Sequence, residues 1–192
     1  VYTSGQVLDG PNTKEFEFAI GQRCDRRYAI AVNSGTQALV FALQTVFPAG
    51  LVLAPAVSFV ATLNSILLTE HEPVLVDTDY TGLMDLGSVN FSLNDASIAA
   101  VMYVNLYGNV IDYDKLKVLT KFWGSDPYII EDAAQSFGAT YKGIPSGKLG
   151  DISVLSFDPT KNLNNYGSGG MLLTDDFAIA EHLADLRDNG KY

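Results

Sequence analysis

The sequence predicts an α/β fold, a three-layer α/β/α sandwich built on a mainly parallel sheet of about seven strands. Three observations predict it. The chain has 192 residues, 47% of them hydrophobic and 18% charged, which suits one substantial core and is too apolar for a disordered chain. Beyond residue 28, short apolar runs alternate with stretches of helical periodicity, the order that places helices on both faces of a parallel sheet. Several of the runs are nearly unbroken Val, Ile, Leu and Ala, as in strands covered on both sides.

In chain order, strands are expected at Tyr28–Val32, Leu51–Ala54, Val74–Asp77, Ala99–Val104, Tyr128–Glu131, Ile152–Phe157 and Met171–Thr174. Helices are expected between them at Thr36–Val46, Ser58–Leu68, Tyr113–Phe122 and Asp176–Asn189. In the first of these, Leu39, Val40, Leu43, Val46 and Phe47 recur at helical spacing, which puts them on one stripe. Asp175 or Asp176 supplies an N-cap for the last. The polar, turn-rich stretch Gly82–Ser97 reads as a loop with a short helix. There is no internal repeat or linker, so residues 1–192 are expected to form one domain.

Composition narrows the function classes. A net charge of −10 disfavours nucleic acid and anionic membrane, both of which select for basic surfaces. The one basic concentration near the start, Arg23, Arg26 and Arg27, reads as a solvated helix end. A single cysteine, Cys24, excludes an intramolecular disulfide, and His71 and His182 lack zinc-type spacing, so no metal is expected. No apolar run reaches the roughly 18–20 residues of a membrane span. The opening Val1–Gly5 has neither the basic nor the apolar region of a signal peptide, and a cytoplasmic location is expected.

In open α/β sheets, ligands bind beyond the carboxyl ends of the strands. Three such places carry chemistry. Ser34-Gly35-Thr36 lies at a strand-to-helix turn, where glycine permits close backbone approach and the helix start offers free N–H groups: a phosphate site in outline, or simply a helix cap. Asp132, in Glu131-Asp132-Ala133-Ala134-Gln135, follows a buried strand. It could hold a protonated pyridine nitrogen, or cap a helix. Lys161, in Ser156-Phe157-Asp158-Pro159-Thr160-Lys161-Asn162, sits just beyond a core strand and before Gly167-Ser168-Gly169-Gly170. A lysine so placed can form a Schiff base, although a lone lysine is usually a surface residue.

The combination carries more than its parts. Val32-Asn33-Ser34-Gly35-Thr36-Gln37-Ala38-Leu39, Ser58-Phe59-Val60-Ala61-Thr62, Glu131-Asp132-Ala133-Ala134-Gln135-Ser136-Phe137-Gly138-Ala139 and Ser156–Leu163 occur in the order seen in the DegT/DnrJ/EryC1/StrS aminotransferases, the sugar aminotransferases of fold type I, and the chain resembles that family throughout. Leu8-Asp9-Gly10-Pro11, Glu15-Phe16-Glu17 and Val104-Asn105-Leu106-Tyr107-Gly108 add to the likeness. The resemblance implies the large, pyridoxal-5′-phosphate-binding domain of a fold type I enzyme over residues 1–192, without the small C-terminal domain that the family's longer chains carry. It implies Lys161 as the Schiff-base and proton-shuttling lysine, and Asp132 as the partner of the pyridine nitrogen. Gln135 would lie near the phenolic oxygen, Gly35, Thr36 and Ser156 at the phosphate, and Phe59 against the ring, a position that plain core packing would otherwise explain. Asn105 is placed near the same strand ends without a defined role.

The implied reaction is ping-pong transfer of an amino group, with glutamate as donor, to a nucleotide-linked keto-sugar, in a homodimer. A sugar dehydratase of the same family would carry histidine where Lys161 stands. A non-catalytic PLP-binding or assembly module is the reading from a different class. A dinucleotide-binding dehydrogenase would need Gly-x-Gly-x-x-Gly after the first strand and a serine hydrolase Gly-x-Ser-x-Gly; neither motif is present.

Overall fold

A computed structural model describes residues 5, 10–89, 98–123 and 126–190. Its elements run α1 (Pro11–Arg23), β1 (Tyr28–Val32), α2 (Gly35–Gln44), β2 (Leu51–Pro55), α3 (Val60–Leu67), β3 (Glu72–Val76), β4 (Ile98–Val104), α4 (Tyr113–Phe122), β5 (Tyr128–Asp132), β6 (Thr140–Tyr141), β7 (Ile144–Pro145), β8 (Ile152–Ser156), β9 (Gly170–Thr174) and α5 (Phe177–Arg187). Among the described residues the main sheet has seven strands in the order β1-β9-β8-β5-β4-β2-β3, and they are the seven read from the sequence with ends moved by one or two residues. Strands β8, β5, β4, β2 and β3 are parallel, whereas β9 runs antiparallel to both β8 and β1. Six strands therefore end at one edge of the sheet, and β9 begins there.

Alternation along each strand divides the core. On one face Ile30, Val52, Ala54, Ala100, Met102, Ile130, Val154 and Leu172 pack with Leu39 and Leu43 of α2, Ile66 of α3 and Leu183 of α5. On the other, Leu53, Val101, Tyr103 and Ile129 pack with Leu116 and Leu119 of α4. Leu155, Met171 and Leu173 meet Ile20 and Cys24 at the α1 end of that second face. Both faces are thus covered, as the unbroken apolar runs of β4, β8 and β9 require.

Helix α1 is an addition to the sequence reading. Pro11 occupies its first turn, where a missing N–H costs nothing. Its Glu-Phe-Glu-Phe stretch imitates a strand's alternation, and Phe18 is 70% exposed, so no clean apolar stripe marks it. Glu17 is buried instead, accepting from the Ala31 N–H (2.8 Å) and from Arg187 (2.9 Å).

The arginine cluster is corrected at its centre. Arg26 is 6% exposed and donates to the carbonyls of Gly147 (2.7 Å) and Gly150 (2.7 Å), to Ser153 Oγ (2.9 Å) and to Asp175 (3.1 Å). It ties the α1–β1 turn to the segment before β8 rather than lying in solvent. A β6–β7 hairpin, turned by Lys142 and Gly143 at positive φ (49° and 83°), also went unread. Within Gly82–Ser97, residues 82–89 form turns and an isolated bridge between Thr78 and Met84, with no helix; residues 90–97 lie outside the described residues.

Candidate active site

Seven residues singled out in the sequence line one cavity of about 550 Å³ at the carboxyl edge of the sheet: Gly35, Thr36, Phe59, Asp132, Gln135, Ser156 and Lys161. Topology brings them there. Ser34 and Gly35 follow β1, Phe59 precedes α3, Asp132 closes β5, and Ser156 and Lys161 follow one another out of β8.

One end of the cavity is the start of α2. Ser34 caps the helix, its Oγ accepting from the Gln37 N–H at 3.1 Å, so the cap and the candidate anion site share one turn. The N–H groups of Gly35 and Thr36 belong to the first turn and have no intrahelical acceptor. Two glycines shape this end. A Cβ at Gly35 would stand 2.8 Å from Ser156 Cβ, and one at Gly170 would stand 2.4 Å from the backbone carbonyl of Ser34. The turn therefore meets the start of β9 backbone to backbone and the Ser156 side chain of β8 directly, leaving dipoles and small hydroxyls around the space.

Asp132 lies at the other end, 4% exposed. Its Oδ1 accepts from the Ala134 N–H (3.1 Å) and its Oδ2 from Thr62 Oγ1 (3.3 Å), and Thr62 is in turn 2.8 Å from Ser58 Oγ. Burial pushes the Asp132 carboxyl up to about 6, against the pull of the Ala134 N–H, the Lys161 ammonium and Thr62. It is a buried acid short of positive charge. No helix follows it; Asp132 anchors a turn.

Lys161 is half-buried in the loop after β8, held by its N–H on the Asp158 carbonyl (2.9 Å); Asp158 also accepts from the N–H (3.0 Å) and hydroxyl (2.7 Å) of Thr160. Its Nζ is 5.8 Å from the centroid of Phe59. Phe59 is 61% exposed at the cavity wall, so the core-packing alternative fails for it. Gln135 Oε1 accepts from the Tyr107 N–H at 2.9 Å, which fixes the amide so that its NH₂ is the free end. Tyr107 holds φ at 58° to make that bond, in a short 3-10 turn (Leu106–Gly108) that the sequence did not announce.

Asn105 is not part of the cavity wall. Fully buried, it donates to Glu131 (2.9 Å) and accepts from the Ile111 N–H (3.1 Å). Glu131 itself accepts from Ser146, Gly147, Leu149 and Ser153 as well, a network on the opposite face of β5 from Asp132. A larger hollow of about 920 Å³ lies between α1, β1 and α5. Its charged lining is largely consumed in pairs such as Arg26–Asp175, Lys148–Asp175 and Arg187–Glu17, and it lacks a convergent set of reactive groups.

An amine, a buried carboxyl, an exposed aromatic face and a helix start thus gather around one cavity of an α/β sandwich. The chain belongs to the DegT/DnrJ/EryC1/StrS aminotransferase family, whose profile matches residues 1–192. It is 37% identical to a GDP-perosamine synthase of Caulobacter vibrioides, over 92% of this chain and 47% of that protein. It is 35% identical to a pleiotropic regulatory protein of Geobacillus stearothermophilus, over 99% of this chain and 51% of that one. An aminotransferase from Psychrobacter cryohalolentis superposes with a TM-score of 0.92 at 33% identity, covering 100% of this chain and 49% of that one. The chain spans about half the length of the curated relatives it matches.

Proposed function

We propose that the chain is the pyridoxal-5′-phosphate-binding large domain of an aminotransferase that moves an amino group, with glutamate as donor, onto a nucleotide-linked keto-sugar. The observation that carries this reading is the shared cavity, where Lys161 and the buried, charge-starved Asp132 stand with the start of α2. Family membership and the likeness to a GDP-perosamine synthase support the substrate class.

The residues fit the cofactor. The Gly35–Thr36 turn and Ser156 suit a phosphate, and the space a Cβ at Gly35 would take is already filled by Ser156. Phe59 offers a face for the ring, the Gln135 NH₂ a donor for a phenolic oxygen, and Asp132 an anion for a protonated ring nitrogen. When bound, the cofactor supplies an aldehyde for amine condensation and an electron sink for the carbanion that transamination needs. Lys161 would provide the amine and would move a proton to and from the substrate's Cα; because the cofactor would carry the amino group from donor to acceptor, the course would be ping-pong. Asp132 would favour a positive charge at the ring nitrogen, and Lys161 is half-buried beside Phe59.

The proposal extends to a homodimer, supported by the exposed apolar residues Val57, Val60, Leu67 and Leu68 in and flanking α3, and to a cytoplasmic location. Among the described residues, no helix is long and apolar enough to cross a membrane.

Mixing the chain with pyridoxal phosphate, reducing with borohydride and mapping the modified peptide tests the assignment. The label is expected on Lys161 and lost in Lys161→Ala; label on another lysine with equal yield refutes it. A second reading, a PLP-binding regulatory module without turnover, has the name of the Geobacillus relative behind it. Adding glutamate separates the two, since turnover shifts the absorbance of the bound cofactor and mere binding leaves it.

A further inference from the structure

Two hydroxyls behind the cavity have no part in the reading above. Thr62 is 1% exposed and hydrogen-bonds Asp132 Oδ2 at 3.3 Å; Ser58 Oγ lies 2.8 Å from Thr62 Oγ1. Thr62 stands in the first turn of α3 and Ser58 in the bend just before its N-cap, Phe59, and their hydroxyl contact forms a row that ends on the carboxyl. Neither lines the cavity.

A hydroxyl has one proton to donate. Facing a carboxylate, Thr62 must spend it on Asp132 Oδ2, and Ser58 must then donate to Thr62. Facing a protonated Asp132, Thr62 can accept instead and donate onward to Ser58. The row therefore has two polarities, and each matches one ionisation state of the acid. With Ala134 N–H on Oδ1 and Thr62 on Oδ2, both carboxylate oxygens are held, which fixes the plane of the group while leaving lone pairs directed elsewhere.

We propose that Thr62, backed by Ser58, is a positioning residue for Asp132: the row Ser58–Thr62–Asp132 orients the carboxylate and favours its ionised form, so that the acid meets a cationic ring nitrogen as an anion. This deepens the cofactor reading and rests on it for its purpose. The hydrogen-bond row itself does not, because it is made by three side chains of this chain alone. The other charged groups acting on Asp132 are Lys161, from the loop after β8, which also favours the anion, and Glu131 on the same strand, which opposes it.

The test follows the Asp132 carboxyl by carbon NMR in the aspartate-labelled full chain, without cofactor, with Asp132→Asn used to assign the signal. Thr62→Val keeps the shape and removes the donor. Its midpoint is expected to rise by about one pH unit over the unsubstituted chain. Thr62→Ser should restore it, and Ser58→Ala, at a half-exposed site that folding tolerates, should raise it by a smaller step. A Thr62→Val midpoint equal to the unsubstituted one, or a rise that Thr62→Ser fails to reverse, overturns the proposal, the latter by assigning the shift to packing. Pyridoxal phosphate is then added. Thr62→Val is expected to bind it several-fold more weakly near pH 6 than the unsubstituted chain does, with the gap closing by pH 8. A normal titration series with no cofactor binding in any variant would instead strike at the cofactor reading and leave the row standing.

Discussion

At the residue scale, Asp132 joins function to stability. Its folded value of about 6 lies above the ordinary 3.8, so the folded chain holds this proton more tightly than the unfolded one. The group's contribution is most favourable below about pH 4 and is lost as pH rises through 6, a swing of about 3 kcal/mol. Asp132→Asn removes the penalty and keeps an acceptor for the Ala134 N–H. In urea denaturation the variant should match the parent near pH 4 and exceed it by up to that amount at pH 7 to 8, while losing at least ten-fold in affinity for pyridoxal phosphate. Equal stability at both pH values would contradict the burial argument. Lys161 and Asp132 were legible in the sequence because each follows a strand and falls in an ordered motif. The Tyr107 anchor of Gln135 was not, since it depends on a left-handed backbone at a non-glycine residue.

At the level of elements, the start of α2 carries two jobs that substitutions can separate. Ser34→Ala removes the cap and should cost about 1 kcal/mol in thermal or urea unfolding, with little effect elsewhere in the sheet. Gly35→Ala sets a methyl against Ser156 Cβ and should cost about 1–3 kcal/mol. Pairing it with Ser156→Gly relieves the clash, so stability should recover; phosphate-end affinity should not, because the Ser156 hydroxyl is gone. Recovery of both would show that Ser156 does not hold the phosphate. The helices α2 to α5 were readable from periodicity and caps. α1 was not, because its buried face holds a glutamate, a glycine and a single large apolar residue, Glu17, Gly21 and Ile20.

For the molecule as a whole, the sheet was largely written in its apolar runs, whereas the ties between distant segments were not. Arg26 lies 121 to 149 positions from its partners, and next to Arg23 and Arg27 it looks like one more solvated cation. Only the folded chain shows four acceptors converging on it. Arg26→Met keeps the aliphatic bulk but strands the buried carbonyl of Gly147, the half-buried one of Gly150 and the charge partner Asp175, and should lower stability by about 3–5 kcal/mol. Arg27→Met, at an exposed neighbour, should change it by less than about 0.5 kcal/mol. Similar losses from the two would mean that Arg26 is not seated as described.

Strand β5 ends in two acids that point opposite ways. Glu131 is met by five donors, from Asn105, Ser146, Gly147, Leu149 and Ser153, while Asp132 is met by two. Sliding the strand by a single residue would exchange them, starving the first and crowding the second. The pair thus proofreads its own alignment: the chain can close its central sheet only in the frame that also delivers the shorter acid to the cavity.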